Sequence, residues 1–309
     1  MVKLRTRYTN CGYKDKIDFE NNISTSKFIN VHRASYLFCS VLFLIFCLKV
    51  YAGNDEKQYS FPYKLSLKTE LTIAPISISS FVAGQVLKKN MTAPQEAEIL
   101  ALDKNNVNRL DRKCIMKSSE SAASFSDVTS MSLYIAAPGL LTIPPLMSRK
   151  WFNLFVVAVM YSEAMFLTSG VTHIVKVTVS RDRPYLYNPN KSMEEKLDEG
   201  SSGRRSFFSA HTSMTFCSAL FVTKVFSDSY PHLPWKYVIG GGSITLAAIT
   251  GIMRVEAGEH FPTDVIIGSI VGGTIGYLVP LLHKKQNNTI VAYPVLTKKS
   301  TGLAISVHF

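Results

Sequence analysis

The stretch MRVEAGEHFPTDVIIGSIVGGTIGYLVPLLHKK, residues 253–285, joins a charged turn to a long apolar run and closes on basic residues. The run 265–282 is near the length that spans a bilayer as a helix, and its glycines and hydroxyl residues permit close helix approach. Pro262 suits the first turn of that helix, since its missing N–H needs no partner there. His283, Lys284 and Lys285 suit a cytoplasmic end. Just ahead of the run, Arg254, His260 and Asp264 bring a cation, an imidazole and a carboxylate to one helix start.

Further apolar runs of similar length occupy 131–147, 152–175, 209–226 and 237–253. Together the five runs predict an all-α, multi-helix transmembrane bundle. Arg149 and Lys150, Lys224 and Lys236, and the basic group after 282 assign one set of helix ends to the cytoplasm. Loops 176–208 and 254–264 then share the opposite side, so the core is read as 131–285. Segment 71–87 contains Pro75, several serines and Gln85, and is expected to lie at the interface or re-enter rather than cross. With it, 53–130 reads as a polar, amphipathic extramembrane region. In 286–309, apolar and polar residues alternate around Lys298-Lys299-Ser300-Thr301-Gly302, which predicts a short C-terminal β-hairpin.

The chain of 309 residues has a formal net charge of +12, with 47% hydrophobic and 18% charged residues. That composition excludes a disordered polyelectrolyte. The basic residues are dispersed around apolar spans without a continuous patch, which argues against nucleic-acid binding. Residues 1–52 resemble a targeting segment: a basic stretch, an apolar run at 36–48 and the small-x-small tripeptide Val50-Tyr51-Ala52 predict a signal peptide or an N-terminal anchor. Cys114 and Cys217 lie beyond it, have no metal-ligand spacing, and read as free thiols.

Three constellations sit at helix ends on the same side. Lys176 and Arg183, seven positions apart and followed by Pro184, fall two turns apart on one helix face and can grasp a single anion. Ser209-Ala210-His211 opens an apolar helix, with Ser209 as N-cap and free first-turn N–H groups that form an anion cradle. Arg254, His260 and Asp264 are the third. Phosphoryl transfer needs neutralised equatorial oxygens, an in-line nucleophile and a proton for the leaving oxygen, and these residue types supply all of them. No carboxylate cluster or Cys/His spacing announces a metal, so none is expected, nor any cofactor.

In this order the motifs resemble the type 2 phosphatidic acid phosphatase superfamily, which also contains class A acid phosphatases and vanadium haloperoxidases. The family pattern Lys-x6-Arg-Pro, Pro-Ser-Gly-His, Ser-Arg-x5-His-x3-Asp is met by 176–184, 208–211 and 253–264. Phe208, Ala210 and Met253 stand for its Pro, Gly and Ser. The resemblance implies that Lys176, Arg183 and Arg254 bind phosphate, assisted by Ser209 and the Ala210 N–H. It implies that His260 attacks phosphorus to give a phosphohistidine, that Asp264 orients His260, and that His211 protonates the leaving group. The implied activity is a metal-independent phosphatase acting on head groups of membrane lipids (phosphatidic acid, a prenyl diphosphate, lipid A) in the bacterial inner membrane, with its site facing the periplasm. A soluble periplasmic acid phosphatase and a vanadium-dependent haloperoxidase are the alternatives.

Overall fold

The computed structural model describes residues 61–147, 149–285, 289–297 and 300–308. The expected signal segment 1–52 lies outside these residues. Six long helices dominate: α1 (Leu67–Lys89), α4 (Glu120–Met147), α5 (Trp151–Val179), α7 (Ala210–Ser229), α8 (Trp235–Glu256) and α9 (Pro262–His283). Short helices α2 (Glu96–Leu100), α3 (Arg109–Arg112) and α6 (Met193–Asp198) lie in the connections. Strands β1 (Thr289–Thr297) and β2 (Ser300–His308) pair antiparallel with Thr297 opposite Ser300. Backbone pairing thus follows the alternation of the tail.

Helices α1, α5, α8 and α9 are long and apolar enough to cross a membrane. Helix α7 is the hub, packing against α4, α5, α8 and α9. Thr212, Thr215 and Ser218 are fully enclosed there, and hydroxyls at Thr212 and Thr215 bond within the helix or its first turn. A helix shielded by its neighbours needs less apolar surface than one facing lipid, which explains why α7 is the least apolar of the runs read as spans.

Glycine spacing sets the closest approach. A Cβ at Gly268, Gly272 or Gly276 of α9 would lie 2.9, 1.8 and 2.2 Å from the carbonyl oxygens of Ser209, Ser213 and Cys217 on α7. Only hydrogen fits at the last two, so α7 and α9 meet backbone to backbone. The contact brings the start of α7 beside the start of α9, where the Ser209 N–H donates to the Asp264 carbonyl at 3.1 Å.

Two expectations are corrected. Segment 71–87 is part of one continuous 23-residue helix. It runs in the same direction as α5, with Glu70 near Glu163 and Gly84 against Gly170. Its serines bond to the helix itself, Ser80 Oγ donating to the Ser77 carbonyl at 3.0 Å, and so they do not break it. Consequently α1 starts beside the end of α9, where the Lys64 N–H donates to the His283 carbonyl at 3.0 Å. The chain therefore enters the bundle at the end opposite the loops 180–208 and 257–261. The second correction concerns 53–130: α4 begins at Glu120, so Ser126, Asp127 and Ser130 belong to a bundle helix.

The rest of that polar region is a cover over the loop end. Val107, Cys114 and Ile115 pack on Phe261. Asp111, fully buried, accepts from the Thr263 N–H at 3.0 Å and the Thr263 hydroxyl at 2.6 Å. A carboxylate at the first turn of α9 satisfies a free donor and complements the helix dipole. Gly258 turns the chain out of α8 with φ +71° and its Cα close to the Lys117 carbonyl, a conformation and proximity that exclude a side chain. Cys114 and Cys217 are free and buried, as expected.

Candidate active site

The C-terminal ends of α5 and α8 and the N-terminal ends of α4, α7 and α9 meet at one end of the bundle. A cavity of about 520 Å³ opens there, and its lining includes Arg183, His211 and Arg254 together with Asp127, Tyr134 and Glu259. Arg183 and Arg254 are both held by Glu259, the second at 3.3 Å. Arg254 also contacts Asp127 at 3.1 Å and donates to Ser126 Oγ at 3.2 Å. His211 Nε2 lies 3.4 Å from the same Asp127 oxygen. The Nε atoms of Arg183 and Arg254 are buried with no partner. Two guanidiniums and an imidazole therefore converge on one cavity, with carboxylates occupying the directions from which an anion would be bound.

Lys176 and His260 lie behind this lining, 4% and 1% exposed. Lys176 Nζ donates to the carbonyls of Arg205 and Ser206, the latter at 3.3 Å. Burial, followed by the nearby charges of Lys176, Arg183 and Arg254, holds the His260 imidazole neutral, well below its ordinary value. A neutral ring has a lone pair available for bonding to an electrophile.

The structure differs from expectation at Asp264 and Ser209. His260 Nδ1 is 3.7 Å from Asp264 Oδ2, longer than a hydrogen bond. The Asp264 carboxylate instead accepts from Arg181 at 2.6 Å, Ser206 Oγ at 2.5 Å and the Phe261 N–H at 2.9 Å. It is the junction of three loop segments with α9, and it faces His260 from one turn along the same helix start. Ser209 is buried, and its Oγ accepts from Thr212 Oγ1 at 3.0 Å as the cap of α7. Ser209, Asp264, Lys176 and His260 are absent from the cavity lining among the described residues. Ala210, at the first turn of α7, is partly exposed.

Arg181 escaped the motif reading, although it lies between Lys176 and Arg183. It bridges Asp264 and Asp111, the latter at 2.7 Å, and stacks over the Phe261 ring with 4.1 Å between guanidinium carbon and ring centroid. Burial alone would disfavour charge on Asp111, but hydrogen bonds from Arg181, Thr263 and Asn108 outweigh it and hold its carboxyl below the usual range. Asp127 and Glu259 were missed as well. Asp127 lies 127 positions from the arginine it contacts, whereas Glu259, directly before His260, was visible as a carboxylate inside the motif. Arg204, in the same loop as Arg181, pairs with Glu98.

A helical bundle that presents two arginines and a histidine to one cavity, with a lysine, a second histidine and an N-capped helix start behind its lining, is suited to bind an anion such as phosphate. The PAP2 superfamily model matches residues 157–288, which contain Lys176, Arg183, His211, Arg254, His260 and Asp264. Over these residues the helical core is similar to the PAP2 superfamily. Similar proteins include a lipid A 1-phosphatase of Porphyromonas gingivalis, 33% identical over 133 residues, covering 38% of this chain and 28% of that protein. Phospholipid phosphatase 1 of Rattus norvegicus is 28% identical over 134 residues, covering 37% and 47%. The chain thus spans less than half the length of these two relatives. Among solved structures, a transmembrane PAP2 type phosphatidylglycerolphosphate phosphatase from Bacillus subtilis aligns with 66% of this chain and 93% of its own, at 19% identity and a TM-score of 0.38.

Proposed function

We propose that the protein hydrolyses phosphomonoester or diphosphate head groups of membrane lipids through a phosphohistidine. The observation that carries this reading is the convergence of Arg183, Arg254 and His211 on one cavity, with Lys176 and a neutral His260 directly behind it. In the bound state the phosphate displaces Glu259 and Asp127 from the guanidiniums and accepts from Arg183, Arg254, Lys176 and the first-turn N–H groups of α7. His260 turns Nδ1 toward Asp264, which leaves Nε2 to attack phosphorus. His211, which burial and the neighbouring cations hold at a pKa of about 3 before an anion binds, takes up the proton of the bound phosphate monoanion and passes it to the leaving oxygen as the bond to that oxygen breaks. Water activated by the then neutral His211 cleaves the phosphorus–nitrogen bond and restores His260. Each charge that develops is met by a fixed cation, so no step calls for a metal.

The lipid substrate class is supported by helices of span length leading to the cavity and by the names of the relatives, a lipid A 1-phosphatase and a phospholipid phosphatase. Placing the bundle in a bacterial inner membrane with its cavity toward the periplasm agrees with Arg149, Lys150, Lys236, Lys284 and Lys285 at the opposite helix ends. The test is phosphate release by the purified protein from a panel of lipid phosphates and a water-soluble phosphate ester, with EDTA present. Release from lipid phosphates, lost in His260→Ala, is the expected result. Release from the soluble ester alone, or halide oxidation dependent on added vanadate without phosphate release, overturns the proposal.

A further inference from the structure

Three groups from three helices converge at the end of the bundle opposite the cavity: Glu70 in the first turn of α1, Glu163 on α5 and His283 closing α9. His283 Nε2 is 3.0 Å from Glu70 Oε1 and 3.3 Å from Glu163 Oε2, and one ligand atom of each residue lies within 4.8 Å of the other two. The imidazole is enclosed, with Nδ1 2.8 Å from the Val279 carbonyl. A carbonyl only accepts, so Nδ1 carries the proton, and a neutral ring then turns the Nε2 lone pair toward the two carboxylates. Glu163 is 5% exposed, and among the described residues neither of its oxygens has a hydrogen-bond partner. Three electron-rich atoms thus face one another, two of them from the buried Glu163 and His283 and the third from the partly exposed Glu70. Such an arrangement is unfavourable unless a positive centre lies between them.

We propose that Glu70, Glu163 and His283 bind a first-row divalent cation of the Zn²⁺ type, which ties the start of α1 to α5 and α9. A tetrahedral ion with bonds of about 2.0–2.1 Å separates its ligand atoms by about 3.3 Å, and the imidazole nitrogen stands 3.0 and 3.3 Å from the two oxygens. The hydrogen bond from Nδ1–H to a backbone carbonyl is the kind that orients a metal-bound imidazole. Two carboxylates neutralise a divalent charge, whereas a single extra proton on the ring leaves the cluster negative. Lys284, which follows His283 in the chain, is bound to Asp228 at 3.1 Å, as is Lys224 at 2.7 Å. Imidazole in the ligand set favours Zn²⁺ over Mg²⁺ or Ca²⁺. Glu70, 24% exposed at its side chain, leaves a path for entry and a place for a water ligand. Because Glu70 and His283 are 213 positions apart, no spacing in the sequence announces the site.

The test uses the full chain in detergent, purified without a histidine tag, stripped with chelator and dialysed against Zn²⁺. Metal analysis after gel filtration is expected to give about one Zn²⁺ per chain, and added Zn²⁺ to raise Tm by about 5 °C. Glu163→Gln and His283→Gln are expected to lose both. Co²⁺ added to the stripped wild type is expected to give the visible absorption of a four-coordinate nitrogen and oxygen site, a readout that stands even where a variant fails to fold. Wild-type protein that retains no Zn²⁺ and gives no Co²⁺ absorption overturns the proposal, as does Glu163→Gln retaining one Zn²⁺ per chain; in that case a shared proton occupies the cluster.

Discussion

The two ends of the bundle are electrostatic opposites built by the same means. At one end Lys176, Arg183 and Arg254 are brought together by helix termini around a cavity of about 520 Å³, and the carboxylates of Glu259 and Asp127 fill in for an anion. At the other, Glu70, Glu163 and His283 gather lone pairs, and the adjacent Lys284 is engaged by Asp228. The cationic end is open and the acidic end nearly closed. Like charges cost most where water is excluded, so each cluster calls for a ligand of opposite sign. The open end suits an exchangeable substrate, the closed end a resident ion.

Four substitutions or conditions probe this contrast. The largest effect is expected from His260→Ala, which should lower phosphate release by about 10⁴-fold or more while the Tm stays near wild type; steady-state release from a lipid phosphate measures it. Arg254→Ala should lower kcat/KM by about 10²- to 10³-fold and weaken inhibition by vanadate in parallel. Zn²⁺ retention by these two variants should equal that of the wild type if the two ends are independent.

Glu259→Gln removes the internal rival for both arginines, and should tighten vanadate inhibition by about tenfold, equivalent to about 1.4 kcal/mol. Weaker inhibition in that variant would instead make Glu259 a support for the arginines, and the carboxylate would no longer count as a stand-in for substrate.

The smallest effect is on stability. His260 is held neutral in the fold, below its ordinary 6.5, so the unfolded chain binds more protons once the pH falls below that value. Its contribution is intact above about pH 6.5 and is lost as the pH falls, at up to about 1.4 kcal/mol per pH unit. Denaturation midpoints between pH 7 and 5 should show this slope, and His260→Asn should make it shallower, with the remainder coming from His211, whose pKa burial pushes down to about 3.

The cation motif was legible because its members are close in sequence and fall in or just beyond the last turns of two helices, where spacing translates directly into position. Lys176 and Arg183, or Arg254 and His260, need only a local helix or turn to come near each other. Asp127 and Arg254 could not be paired this way, since 127 positions and three helices separate them. Asp264 shows a further limit: its spacing from His260 puts it one turn away, but packing against Arg181, Ser206 and the Phe261 N–H directs its oxygens elsewhere. Segment 71–87 was misjudged because composition registers serine and proline without showing that the serines bond within their own helix.

What the sequence by itself determined is therefore the five long helices that follow residue 119 and the end at which the cations gather. These follow from apolar run length and from short-range spacing, both of which are local properties of a chain. Only the tertiary structure decided that α1 runs alongside α5, that Glu259 and Asp127 hold the arginines, and that Glu70, Glu163 and His283 meet. Those outcomes depend on which helix faces interlock, as at Gly272 and Ser213, and interlocking is a relation between distant segments that neither encodes alone.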